Sequence, residues 1–193
     1  MKYAVIFQAI LLFAQTGLYF GIQKFEGPAH DVSCSIDKKI PYWPYSIFVY
    51  VLWYPLIAVF PLCLYSHSTD IYWIYIISIT VDILISITIY MIYPSSFERP
   101  LPPEGFIGRI MSIVYKCDYK GKNCMPSMHC SMCFIIIFIS SVSFRYNEPL
   151  YVSFAMVSAL IVLSTVLTKQ HVIIDVITGL IVAVIAVGVG VLI

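Results

Sequence analysis

The sequence predicts an all-α, polytopic membrane bundle of about six transmembrane helices, forming one domain over residues 1–193. Three observations carry that expectation. Of 193 residues, 61% are hydrophobic and 11% charged, and the mean hydropathy is +0.92, more apolar side chain than a single water-soluble core takes up. Apolar stretches close to the roughly 20 residues that cross hydrocarbon recur along nearly the whole chain. The charged residues gather in the segments between them. A soluble protein with an unusually greasy interior is the alternative, and the recurrence of bilayer-length stretches argues against it.

The first apolar stretch, Tyr3 to Ile22, follows a single Lys2 and has no small-residue cleavage site before Gln23, so it reads as a transmembrane helix rather than a signal peptide. A polar segment, Gln23 to Tyr45, follows and closes on Pro41, Tyr42, Trp43, Pro44 and Tyr45, which have the look of an interfacial aromatic belt. Further spans are expected at Ser46 to Ser66, Tyr72 to Tyr93, Ser127 to Phe144, Leu150 to Thr168 and Val172 to Ile193. Pro55 and Pro61 are expected to kink the second, and Gly179 with Ala183 to let the sixth approach a neighbour closely. The longest polar segment, Pro94 to Met125, reads as a loop holding Arg99, Arg109, Lys116, Lys120 and Lys122. If spans alternate, it shares a membrane face with Gln23 to Tyr45 and with the turn at Lys169 and Gln170.

The formal net charge of +1 supplies no basic field for nucleic acid, which is excluded as a partner. The six cysteines lack the spacing of a secreted disulfide framework. Cys63 and Cys133 fall in apolar runs and read as packing residues. Cys117 and Cys124 flank a polar loop and read either as a disulfide or as reduced surface thiols. Cys124, His129, Cys130 and Cys133 fit no paired zinc-ligand pattern, and no metal or other cofactor is expected.

The chemistry-bearing residues are few. His171 and Asp175, four apart at the start of the last span, stack on one helix face about 6 Å apart along the axis. An Asp within a membrane helix costs on the order of 3 kcal/mol and is expected to have a partner. A carboxylate taking the proton of one ring nitrogen leaves the other a better nucleophile or base. Taken alone, such a pair is more commonly a structural hydrogen bond near the interface. Pro126-Ser127-Met128-His129 stands where the polar loop meets the fourth span, and its helix-start residues make the free N–H groups an anion seat with His129 beside it. Arg99 and Lys169 add cations suited to phosphate, although each alone would read as a snorkelling residue. Their convergence on one membrane face from separate segments is what points to a site. Asp82, within the third span, reads either as a buried hydrogen-bonded acid or as part of an ion path.

Arg99-Pro100, Pro126-Ser127-Met128-His129, and Ser164-Thr165 followed by His171 and Asp175 together resemble the three signature motifs of the type 2 phosphatidic acid phosphatase (PAP2) superfamily. Thr168-Lys169-Gln170-His171 with Asp175 is similar to its inositol phosphorylceramide synthase-like branch. The resemblance runs from the third span to the end, and three positions depart from it. Ile92 stands where a Lys is usual, Thr165 where an Arg is usual, and Met128 where a Gly is usual. It implies a metal-independent lipid phosphatase acting on a phosphomonoester or diphosphate lipid through a phosphohistidine. His171 would be the nucleophile, Asp175 its partner and His129 the general acid, with Arg99, Ser127, Met128 and Lys169 holding phosphate. A phosphotransferase moving a phospho-headgroup between lipids would share the covalent step. A lipid-binding or transport protein on the same fold is the non-catalytic rival. The resemblance places the site outside the cytoplasm, at the cell membrane, whereas the positive-inside rule would make its Lys- and Arg-rich face cytoplasmic.

Overall fold

The computed structural model describes residues 2–22, 28–117, 122–144 and 147–193. Six long helices lie within the described residues: α1 (Lys2–Ile22), α3 (Trp53–His67), α4 (Thr69–Ile92), α6 (Met128–Ser143), α7 (Glu148–Leu167) and α8 (Ile173–Leu192). All but α3, which starts seven residues after the expected Ser46, keep the expected bounds to within three residues. The stretches Pro44–His67, Thr69–Ile92, Glu148–Leu167 and Ile173–Leu192 are long and apolar enough to cross a membrane, while Ile6–Ile22 and Met128–Ser143 are apolar but shorter. Apolar side chains such as Leu84, Leu163 and Ile181 are about half exposed, as expected of a surface that faces lipid.

The second apolar stretch is not one helix. A single 3-10 turn, Pro44–Ser46, leads into the short α2 (Ile47–Tyr50), and the chain breaks at Val51 and Leu52 before α3 starts. Pro55 accounts for the break, because its ring has no N–H to give and crowds the carbonyl of Val51, four residues back. Pro61 lies inside α3 without interrupting it.

The core is built where α4, α6 and α8 meet, with α7 packed on α6. Ala183 and Ala186 of α8, Ile135, Ile136 and Ile139 of α6, and Ile76, Ile79 and Ile83 of α4 share one buried cluster. Glycine sets the spacing. A Cβ on Gly179 would lie 3.0 Å from the Ser127 carbonyl oxygen and 3.3 Å from the Ser131 nitrogen, and one on Gly190 would lie 2.8 Å from the Ile74 carbonyl oxygen. The approach at Gly179 brings the start of α8 against the first turn of α6, where the Ser127 N–H donates to the Asp175 carbonyl at 3.2 Å, and the approach at Gly190 seats the far end of α8 on α4. Asp82 is fully buried on α4, on the same face as the buried Ser78 and Ser86, beside the Ser131 side chain of α6.

At that end of the bundle the connecting segments are sewn together. His30–Asp31 (β1) pairs in parallel with Ser95–Ser96 (β2), in the register His30 to Ser95 and Asp31 to Ser96, and Ser96 also bridges to Lys122. The Trp43 N–H donates to the Leu167 carbonyl at 2.8 Å. The Pro94 to Met125 segment, expected to be a loop, contains a helix, α5 (Gly105–Cys117). Ile107, Ile110, Met111 and Val114 recur at helical spacing and pack on Ile47 and Tyr50, a period that the flanking prolines and lysines obscure in the sequence.

Candidate active site

His171 begins with the way its turn is made. α7 ends at Leu167, and the N–H groups of Gln170 and His171 both close onto the Thr165 carbonyl, at 2.9 and 3.1 Å. Closing so tightly puts Lys169 at φ 54°, in the left-handed region, which a residue with a Cβ adopts at a cost of about 1 kcal/mol. Two interactions hold it there. The Lys169 ammonium donates to the carbonyls of Asp37 and Ile40, at 2.7 Å each. The Asp37 carboxylate accepts from the Ile173 N–H at 2.8 Å and from the Cys34 N–H at 2.6 Å. Lys169 therefore differs from its expected role: its ammonium fastens the 28–46 segment to the α7–α8 turn instead of facing the histidines. Burial pushes the Lys169 pKa below its ordinary value, against the opposing pull of Asp37.

Burial works to raise the Asp37 carboxyl, but the Ile173 and Cys34 donors and the nearby ammonium outweigh it and hold its pKa below 3.8. A carboxyl lowered on folding contributes stability that is present above its unfolded-state pKa and is lost as pH falls through the folded value. The difference in melting temperature between the wild type and Asp37→Asn, followed in detergent, should therefore be largest near neutral pH and shrink below about pH 4. A difference that stays constant down to pH 3 would show that charge is not what Asp37 contributes.

Asp175, fully buried at the third position of α8, folds back on the helix start. Its Oδ2 accepts from the Val172 N–H at 3.0 Å and lies 3.1 Å from Nδ1 of His171. A carboxylate has no proton to give, so the proton in that contact sits on Nδ1 and the lone pair of the neutral ring is on Nε2. The His171 side chain is 11% exposed, enough to reach the cavity in front of it.

His129, in the first turn of α6, faces it. The two rings, brought together from positions 129 and 171, stand 5.8 Å apart, centroid to centroid. Nε2 of His129 is 3.0 Å from the Tyr50 hydroxyl, and its ring packs against Trp53 at 4.3 Å and Tyr50 at 4.9 Å. Neither Tyr50 nor Trp53 stood out in the sequence, where both lie inside the expected second span.

Ser127 caps α6: its Oγ accepts from the Cys130 N–H at 3.3 Å and its carbonyl from the Ser131 N–H at 2.9 Å. The N–H groups of Met128 and His129 belong to the first turn, where a helix provides no acceptor of its own. The Met128 side chain packs with Ile22 and Tyr90, and the residue also lines the cavity described below. Arg99 reaches the turn that carries His171, its Nη2 donating to the Gln170 carbonyl at 3.3 Å, with its guanidinium over the rings of Phe97 and Tyr115. Ile92 is 78% exposed, at the end of α4. Thr165 is fully buried, its hydroxyl donating to the Val162 carbonyl at 2.7 Å. A cation at 165 would thus lie inside the bundle, against Cys130, whose Sγ is 3.5 Å from the Thr165 hydroxyl.

A cavity of about 140 Å³ lies in front of the two histidines. Its wall combines Met128 and His129 of α6 and His171 of the α7–α8 turn with Tyr50, Trp53 and Tyr54, and with Gln15, Thr16, Tyr19 and Phe20 of α1. Cys124 also lines it and is 2% exposed, so the expected surface thiol is a buried one, its Sγ 3.9 Å from the Ser95 carbonyl oxygen. The Cys117 side chain, the other half of the expected pair, lies outside the described residues.

The PAP2 superfamily model matches residues 71–193, which include Arg99, Ser127, His129, His171 and Asp175. The chain belongs to the PAP2 superfamily. Its members are phosphatases and phosphotransferases that act on lipid phosphates, and the apolar helices of this chain agree with an integral membrane member. No curated protein and no solved structure matches it. The matched segment begins within α4, so the superfamily portion carries both histidines, while α1, α2, α3, Asp37, Tyr50 and Trp53 precede it.

Proposed function

We propose that this PAP2 protein is a lipid phosphatase, crossing the bilayer six times, that cleaves a phosphomonoester or diphosphate lipid through a phosphohistidine. The observation that carries this reading is the pair of imidazoles 5.8 Å apart, one of them turned by Asp175 so that its Nε2 lone pair is available. Nε2 of His171 attacks phosphorus and forms the P–N bond as the bond from phosphorus to the lipid oxygen breaks. Protonated His129 gives its proton to the departing oxygen. Water then attacks the phosphohistidine, losing a proton to His129, and the P–N bond breaks to release phosphate. Arg99 and the N–H groups of Met128 and His129 hold the non-bridging oxygens as charge shifts between them. Tyr50 keeps the His129 ring in place and can exchange a proton with its Nε2.

Incubation with a lipid labelled in its phosphate tests the reading. Free labelled phosphate and acid-labile label on His171 are expected. A new labelled lipid formed only when an alcohol is added would identify a transferase, as the inositol phosphorylceramide synthase-like resemblance suggests, and label that never leaves the substrate would leave a binding protein.

The resemblance also puts the site on the outer side of the cell membrane. Cys124 is too buried to report this, whereas Cys34, half-buried in the segment fastened to the site, is suited to it. Labelling of Cys34 by a membrane-impermeant maleimide in intact cells is expected. Labelling only after permeabilisation would place the site in the cytoplasm, as the charge distribution favours.

A further inference from the structure

One polar group in the cavity wall has little to do in the fold. Gln15 of α1 is 6% exposed and lines the cavity. Its Nε2 has only the Met132 sulfur, 3.8 Å away, a weak acceptor, and its Oε1 meets no donor among the described residues. Gln8, seven residues earlier on the same helix, offers the contrast. It is equally buried, donates to the Ile57 carbonyl at 3.5 Å and stays clear of the cavity. The Gln8 Oε1 likewise meets no donor among the described residues; the difference is that the Gln8 NH2 group has a carbonyl to bind across to α3, whereas Gln15 has only a sulfur for its NH2 group and lies in the wall of the cavity.

Its depth gives that amide a use. Met132 follows His129 by three residues on α6, so Gln15 meets α6 about one turn, ~5 Å, beyond the histidine. In a substrate whose phosphorus lies between the two rings, that distance corresponds to roughly the next three or four atoms past the ester oxygen. Those atoms are ester oxygens in a glycerol-linked lipid, and a hydroxyl and amide in a sphingoid one. In a polyprenyl phosphate they are hydrocarbon. The neighbouring hydroxyl of Thr16 is already bound to the Leu12 carbonyl at 2.8 Å, and Phe20 and Trp53 offer rings.

We propose that Gln15 is a specificity-determining residue that reads a hydrogen-bonding linker next to the phosphate, so that the site takes glycerol- or sphingoid-linked lipid phosphates in preference to polyprenyl phosphates. The proposal rests on the lipid phosphatase reading above. A site built to hydrogen-bond a substrate group rejects an analogue lacking it, because its own buried polar group is then left unpaired.

The test compares kcat/KM for phosphatidic acid, ceramide 1-phosphate and a polyprenyl phosphate in mixed micelles, in wild type, Gln15→Leu, Gln15→Met and Gln8→Leu. The wild type should favour one of the linked lipids over the polyprenyl phosphate by about tenfold or more, and the preferred one identifies ester or amide as the group read. That ratio should fall toward one in both Gln15 variants and stay within about twofold of wild type in Gln8→Leu. Methionine keeps the length of the side chain against Met132, so a folded protein remains should leucine not fold. A wild type without preference, a Gln15 variant that loses all three substrates equally, or a ratio that also collapses in Gln8→Leu overturns the proposal. Absence of phosphate release from every lipid is a failure of the phosphatase reading itself. Tryptophan fluorescence titrations with the same lipids, Trp53 being in the cavity wall, then decide the selectivity. Binding of a linked lipid about tenfold tighter than of polyprenyl phosphate, lost in the Gln15 variants, supports it; equal binding overturns it.

Discussion

Replacing His171 by alanine is expected to lower phosphate release from a lipid phosphate by at least about three orders of magnitude, because it removes the atom that bonds to phosphorus. The loss should not come from unfolding. The ring is at the cavity edge and makes its hydrogen bond to Asp175, which still accepts from the Val172 N–H when the ring is gone. A melting profile close to wild type, measured in the same detergent, is therefore expected alongside the lost turnover. His129→Ala should behave differently. An acid that protonates the leaving oxygen is worth about 10²–10⁴, and less when the leaving group is already a good one, so an aryl phosphate should restore the first step in His129→Ala, seen as a burst of aryl alcohol release before the phosphohistidine is hydrolysed, and give no burst in His171→Ala. Wild-type turnover by His171→Ala, or equal rescue of both variants, would remove the assignment of the two roles.

Asp175→Asn is expected to cost about 10²–10⁴ in kcat, since an amide neither carries the charge that balances an imidazolium nor insists on a proton at Nδ1. Two substitutions separate this effect from a structural one. The Asn carbonyl can still accept from the Val172 N–H, so the start of α8 should persist and the melting temperature should shift little. Asp175→Ala removes that acceptor from a fully buried position and should lower stability by a further ~1–3 kcal/mol. If both variants lose activity only in proportion to their loss of folded protein, Asp175 is a helix cap and its bearing on the histidine is incidental.

Much of this was legible in the sequence because hydrophobic period and local spacing carry it. The ends of α4, α7 and α8 fall where apolar runs end, and the contact from His171 to Asp175 follows from four-residue spacing alone. The meeting of His129 with His171 was reachable too, from the alternation of spans. The remainder depended on backbone detail that composition does not encode. Lys169 reads as a phosphate ligand until its left-handed φ and the carbonyls of Asp37 and Ile40 are seen to claim its ammonium. Tyr50 and Trp53 read as two more aromatics of the second span until their rings are seen against His129. Gln15 gave no signal, since a single amide in an apolar helix takes its meaning from the space beside it. The departures from the superfamily's pattern also look different in place. Position 92 points outward from the end of its helix and position 165 is packed within the bundle, so the positive charge near the histidines is supplied by Arg99.

The reacting groups and the groups that surround them have separate origins along the chain. On the proposed mechanism every group assigned to making or breaking a bond comes after residue 71, whereas the Tyr50 hydroxyl on His129, the Asp37 carboxylate at the head of α8 and the α1 part of the cavity wall come before it. Such a division would let changes in the N-terminal third alter which molecule is admitted without disturbing how it is cut. Chimeras joined within the short turn ahead of α4 would inherit their chemistry from one parent and their diet from the other.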